Sequence, residues 1–312
     1  MPRRRSTAAP GRPERTMADD RSDWKVVLQF FIVPLSLVAV LVSVFFGLQV
    51  LRSRHPDPQT ALDDLKGNRS FLLPWVKDPK RWQAGYDFSL LLRSSAPGNA
   101  GTLIPGMANA FRDAGSQGDL KLRRYLALAL GRSGDSHAAA ALREGLKDTD
   151  GATRLFCVWG LMQIADRDAI AELRAAAADS DAGVRTMAVF ALGQMGDHDG
   201  APVLKRALGD RERDVRWNAA ISLARIGDAS GESLLLEILA IPAPVPARAG
   251  DADPSDGASP SLNAIRALAL LKNAAARAAL KRASESDANE KIRRTAGAAL
   301  ESLDAEARDV LP

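Results

Sequence analysis

The sequence predicts an all-α fold: an α-solenoid of about six to seven helix pairs, preceded by one transmembrane helix. Three observations carry this. Arg123, Arg154, Arg185 and Arg216 recur at an interval of 31 residues. Their surroundings recur with them: Gln117, Asp148, Asp179 and Asp210 six positions before, Asp119, Asp150, Asp181 and Glu212 four before, Leu130, Leu161, Leu192 and Leu223 seven after, Asp135, Asp166, Asp197 and Asp228 twelve after. Residues 26–51 form a run of 26 residues without a charge. A period near 30 filled at helical spacing is that of stacked helix pairs, none of which can bury its apolar face alone.

Residues 1–25 read as a disordered basic tail. Residues 1–16 are rich in Arg and Pro, and Met17 is an alternative start. The apolar run 26–51 is long enough to cross a bilayer, which takes about 20 apolar residues. A signal peptide is the rival reading, but its apolar core is typically about 7–15 residues and ends at a small-residue site. Phe45, Phe46, Gly47 and Leu48 offer no such site. Seven Lys/Arg precede the run and four follow it within 20 residues, a bias that puts the N-terminus in the cytoplasm and exports the solenoid. A start at Met17 leaves two against four and reverses the orientation.

Residues 52–58 are a Pro-containing linker, and residues 59–304 form the solenoid. Within residues 180–210, Asp181 is placed as a helix N-cap, Val184, Ala188, Ala191, Leu192 and Met195 as the buried stripe, and Gly196 as the stop. Asp197 is then expected to cap a second segment carrying Ala201, Val203, Leu204, Ala207 and Leu208. Upstream, Arg81 stands in the arginine slot of an early helix, and Leu103, Ile104, Met107, Ala110 and Phe111 mark the next one. Gly131, Gly134, Gly193, Gly196 and Gly227 read as helix ends. Residues 241–261, with five prolines, read as a flexible insertion. Helix then resumes with Asn263 in the arginine slot, and Arg293 begins the last repeat with Ala296, Ala299, Leu300 and Leu303. Residues 305–312 are a C-terminal tail.

The stretches Asp179-Ser-Asp-Ala-Gly-Val-Arg185, Ala188-Val-Phe-Ala-Leu-Gly193 and Met195-Gly-Asp197 resemble the HEAT-repeat family, specifically the bacterial HEAT-like type found in phycobilin lyases. The resemblance extends over residues 57–304 and is strongest over 118–239. It implies a right-handed α-solenoid with a binding or scaffolding role. It also implies that Asp148 with Arg154, Asp179 with Arg185, and Asp210 with Arg216 form a structural ladder of charge-assisted hydrogen bonds between inter-helix turns. An anion-binding track is the competing reading of that column.

At about 100° per residue, the positions five after each arginine point away from the core stripe. They hold Leu128, Trp159, Phe190 and Ile221, and the adjoining positions one after include Leu155 and Trp217. In the family this face of the second helix lines the concave side, so the six residues are candidate partner-binding residues. Packing between successive second helices is the preferred account of Phe190 and Ile221, and a groove that of Trp159 and Trp217.

No catalytic, cofactor-binding or metal-ligating set emerges. The histidines are His55, His137 and His198, and the paired His-Glu dipeptides of HEAT-type hydroxylases are absent. Cys157 is the single cysteine, placed on the buried stripe as a small core residue. Of the net charge of +4, the first 25 residues carry +3, which leaves no basic footprint for nucleic acid on the repeats. The sequence thus points to a bacterial non-enzymatic scaffold with protein partners, held to the lipid bilayer through residues 26–51. The alternative is a lyase- or chaperone-like activity on a chromophore or cofactor protein.

Overall fold

A computed structural model describes residues 85–86, 103–241 and 259–309. The regions 1–25, 26–51 and 52–58 lie outside these, as do Arg81 and residues 242–258 of the insertion. Among the described residues no helix is long and apolar enough to cross a membrane.

Twelve α-helices and no strand occur among the described residues: α1 Ile104–Ser116, α2 Leu120–Arg132, α3 Ala139–Gly145, α4 Gly151–Ile164, α5 Ile170–Ala176, α6 Ala182–Gln194, α7 Ala201–Ala207, α8 Arg213–Arg225, α9 Glu232–Ala240, α10 Pro260–Leu271, α11 Ala274–Ser286 and α12 Glu290–Asp309. They form six pairs. Each odd-numbered helix packs mainly on its even-numbered partner, and the even-numbered helices pack on one another in succession. The last helix continues five residues past the expected end at 304, and Pro260 and Ser261 belong to α10 instead of the insertion.

The repeating aspartates start the even-numbered helices. Asp119, Asp150 and Asp181 accept hydrogen bonds from the N–H groups of Leu122, Thr153 and Val184 at 3.2, 2.9 and 3.1 Å. Glu212 occupies the same slot and caps nothing, because its longer side chain does not fold back over the first turn. One turn earlier, Asp148, Asp179 and Asp210 accept from the N–H two residues on, at 2.8, 2.8 and 2.9 Å, which fixes the turn between helices.

Three left-handed glycines, Gly134, Gly196 and Gly227, end α2, α6 and α8 at φ 64°, 64° and 79°. The equivalent position after α4 is Ala165, at φ 56°. Its Cβ makes that conformation costly, so Ala165→Gly should stabilise the array by about 0.5–1 kcal/mol. A thermal melt that stays put or falls would show that the turn does not impose the conformation.

The expected stripe is the core. In α6, Val184, Ala188, Ala191 and Leu192 are fully buried and Met195 nearly so. The same positions of α8 hold Val215, Ala219, Ser222, Leu223 and Ile226, all buried, and Ser222 donates to the Val189 carbonyl at 2.9 Å. The positions four after each arginine, Ala127, Val158, Val189 and Ala220, are also fully buried. Ala220 abuts Gly231 in the turn before α9, whereas the Val189 carbonyl lies where successive even-numbered helices meet. Gly131 belongs to this contact and not to a chain reversal: a Cβ on it would fall 2.6 Å from the Gly160 Cα.

Two placements differ from expectation. The buried residues of α10 are Ser261, Leu262, Ala264, Ile265, Ala267 and Leu268; the last four count back to Ser261 as the arginine slot, whereas the N-cap Ser259 counts forward to Asn263. The Ser261 hydroxyl is buried against the Ile238 and Ile241 carbonyls at 3.5 and 3.4 Å. Asp197 stands at the start of its segment, yet its carboxylate caps nothing, because Arg174 takes both oxygens.

Candidate partner-binding face

Two ladders of ion pairs tie the repeats together. In the first, Arg154 grips Asp179 through Nε and Nη2 at 2.8 and 2.6 Å, and Arg185 grips Asp210 in the same way at 2.8 and 3.0 Å. Arg123 donates to Asp148. Each arginine therefore pairs with the carboxylate 25 residues on, in the following repeat, and not with the aspartate six residues before it. That nearer aspartate offers its backbone: Arg154 Nη1 donates to the Asp148 and Thr149 carbonyls at 2.8 and 3.2 Å, and Arg185 Nη1 to Asp179 and Ser180 at 2.9 and 3.2 Å. Arg216 and Arg293 repeat the carbonyl contacts. Ile241 stands 25 residues after Arg216, where a further aspartate would close the ladder.

The second ladder comes from the odd-numbered helices. Arg143, Arg174 and Lys205, again 31 residues apart, meet Asp166, Asp197 and Asp228. Lys205 and then Ser230 hold Asp228 down to about 2, against partial burial, which works the other way. Arg185 likewise holds Asp210 below the usual range, and Arg124 holds Asp150 well below it. A carboxylate lowered in the fold adds stability above its ordinary range, and that stability is lost as pH falls through the lowered value.

The six face residues, Leu128, Leu155, Trp159, Phe190, Trp217 and Ile221, are all half-buried. The Trp159 ring leans over the preceding helix, 2.9 Å from where a Gly131 Cβ would stand. Leu155 packs against the core of the first repeats, and Trp217 and Ile221 against that of the last ones. Trp217 also stacks under Arg213, whose guanidinium carbon is 4.6 Å from the ring centre. Arg225 lies 5.2 Å from the centre of the Phe190 ring. The structure thus places all six on one layer of helices, each with part of its surface taken up by neighbours.

Cys157 is fully buried, and burial pushes its thiol well above the ordinary range. His198 and Asp199 belong to an exposed 3-10 turn. Among the described residues no group of three or more His, Cys, Asp and Glu is placed to hold a metal ion.

The family model described as HEAT repeats matches residues 109–189 and 170–250. These segments are HEAT repeats. The YIBA protein of Escherichia coli, solved by X-ray, is similar at a TM-score of 0.54 and 16% identity, over 80% of this chain and 83% of that one. The complex of CpcE and CpcF of phycocyanin lyase from Nostoc sp. PCC7120 is similar at a TM-score of 0.48 and 19% identity, over 79% of this chain and 94% of that one. At 16% identity the likeness to the YIBA protein is one of fold. No curated protein sequence matches the chain. An array of HEAT repeats is a scaffold suited to binding protein, since stacked pairs present a continuous helix face. The second ladder and Arg225 are what sequence reasoning missed. The period of Arg143, Arg174 and Lys205 would have found the former.

Proposed function

We propose that the chain is a membrane-anchored, non-enzymatic HEAT-repeat scaffold that binds protein partners within a membrane complex. Its partner site is the face of α2, α4, α6 and α8 that carries Leu128, Leu155, Trp159, Phe190, Trp217 and Ile221. The observation that supports this reading is the part-exposed aromatic row of Trp159, Phe190 and Trp217 on consecutive even-numbered helices. Aromatic side chains whose flanks are fixed by neighbours lose little entropy when a partner covers the rest. The ion-pair ladders hold the turns of the repeats, so the spacing of this row is set before a partner arrives. The anchor is the uncharged run 26–51, and the excess of Lys and Arg before it exports the repeats.

The full chain should stay with membranes through carbonate extraction. In sealed vesicles of known orientation, protease should cut the repeats from the exported side only. Intact chain recovered in the soluble fraction would remove the membrane part of this proposal. Cleavage from the cytoplasmic side alone would reverse the orientation.

A further inference from the structure

Arg225 is out of keeping with every ladder arginine in the array. Arg123, Arg154, Arg174 and Arg185 each face a carboxylate, and Arg216 donates to two backbone carbonyls. Arg225, in the last turn of α8, faces the Phe190 ring of α6 instead. Its Nη1 is buried and donates no hydrogen bond among the described residues. Burial lowers its pKa, and no charged neighbour works against that shift. Arg225 itself is half-buried, and a guanidinium nitrogen left without an acceptor is unfavourable in the free protein. It becomes favourable once an acceptor of opposite charge is brought to it.

The surroundings say what kind of acceptor. Along α2, α4, α6 and α8, the positions one, five and nine after the arginine slot hold Arg124, Arg132 and Arg225 and no acid. Arg124 is engaged by Asp150, at 2.8 and 2.6 Å. Gln163, Gln194 and Thr186 are the uncharged polar members, and the remaining six are the apolar face residues. Half of these positions are therefore apolar and their charge is of one sign, while two before the slot, on the same side of the helices, stand Lys121 and Asp214. A phosphate backbone would call for basic residues along the whole track. A protein segment that alternates apolar side chains with carboxylates matches the mixture.

We propose that Arg225 reads charge on this face: it receives the carboxylate of an Asp or Glu carried by an apolar segment of the partner, beside Phe190. This rests on the partner-binding reading of the same face and names the chemistry of the partner.

The test uses the full chain in detergent and three labelled peptides of about 16 residues, long enough to lie along the face as a helix. They share one pattern of Leu and Phe and carry Glu, Gln or Lys at the polar positions. The Glu peptide should bind roughly tenfold or more tighter than the Gln peptide, and Arg225→Met should abolish that advantage while leaving the Gln peptide unaffected. The variant should melt no lower than the parent, because it removes an unpaired buried donor. An arginine with a purely structural role would instead lower the melt and leave the peptide preference intact. Equal binding of Glu and Gln peptides, both weakened by Trp159→Ala, would overturn the charge reading and leave partner binding standing. Binding of none of the three would overturn the inference, and the tryptophan variants would then decide the partner-binding reading on membrane partners. An oligonucleotide that displaces the Glu peptide in an Arg225-dependent way would replace the protein segment with a phosphate ligand.

Discussion

Replacing Arg185 with alanine should destabilise the array by about 2–4 kcal/mol, the upper end for a near-buried ion pair broken from one side. The Arg185 side chain is 7% exposed and that of Asp210 15%. Nε and Nη2 hold the Asp210 carboxylate, while Nη1 holds the Asp179 and Ser180 carbonyls. The substitution leaves one carboxylate with only the Glu212 N–H, and two carbonyls short of a donor. Arg216→Ala is the internal comparison. Arg216 makes the same two carbonyl contacts, and no carboxylate takes up the rest of its guanidinium among the described residues. Its loss should be about 1 kcal/mol, in line with ordinary hydrogen bonds. The difference between the two variants in urea unfolding measures the inter-repeat carboxylate alone. Equal losses would mean that the ion pair adds nothing beyond the carbonyl contacts, and the ladder would then be a matter of turn geometry.

That pairing shows where the sequence is legible and where it stops. The recurrence of Arg123, Arg154, Arg185 and Arg216 is enough to give helix pairs, the caps at Asp119, Asp150 and Asp181, and the core stripe, because each depends on residues within one repeat. The partner of an arginine does not. An aspartate lies six residues before and another 25 residues after each of Arg154 and Arg185, and both separations recur with the same period of 31. Periodicity therefore cannot say which one the guanidinium reaches. The structure assigns the backbone of the first and the carboxylate of the second. The register of α10 is divided for a related reason: the insertion before it breaks the count, so the cap at Ser259 counts to Asn263 while the burial of Ala264, Ile265, Ala267 and Leu268 counts to Ser261. The extent of burial on the face was not readable either. It depends on how closely successive even-numbered helices approach, and the contact of Gly131 with Gly160 sets that distance.

Trp159→Ala and Trp217→Ala should each weaken partner capture by tenfold or more, about 2 kcal/mol, as expected of aromatic hot spots. The two differ in what else they lose. From helical angles alone, Trp217 faces away from the core and its removal should be silent in a melt. The structure instead packs it against the core of the last repeats and under Arg213, so Trp217→Ala should also cost about 1–2 kcal/mol of stability. Trp159 leans on backbone at Gly131, where no neighbouring side chain can relax into the space it vacates. Its removal should cost a comparable amount. Melting temperature alone therefore cannot separate the roles, and the deciding quantity is affinity measured on folded protein well below the melt. Trp159→Phe and Trp217→Phe keep most of the packing and lose the indole rim that a partner would meet. If these conservative variants bind like the parent while the alanine variants lose binding only in proportion to their unfolded fraction, the row is core and not site. If they bind several-fold more weakly at unchanged stability, the part-exposed indoles are the contact surface, and the even-numbered helices carry the function of the array.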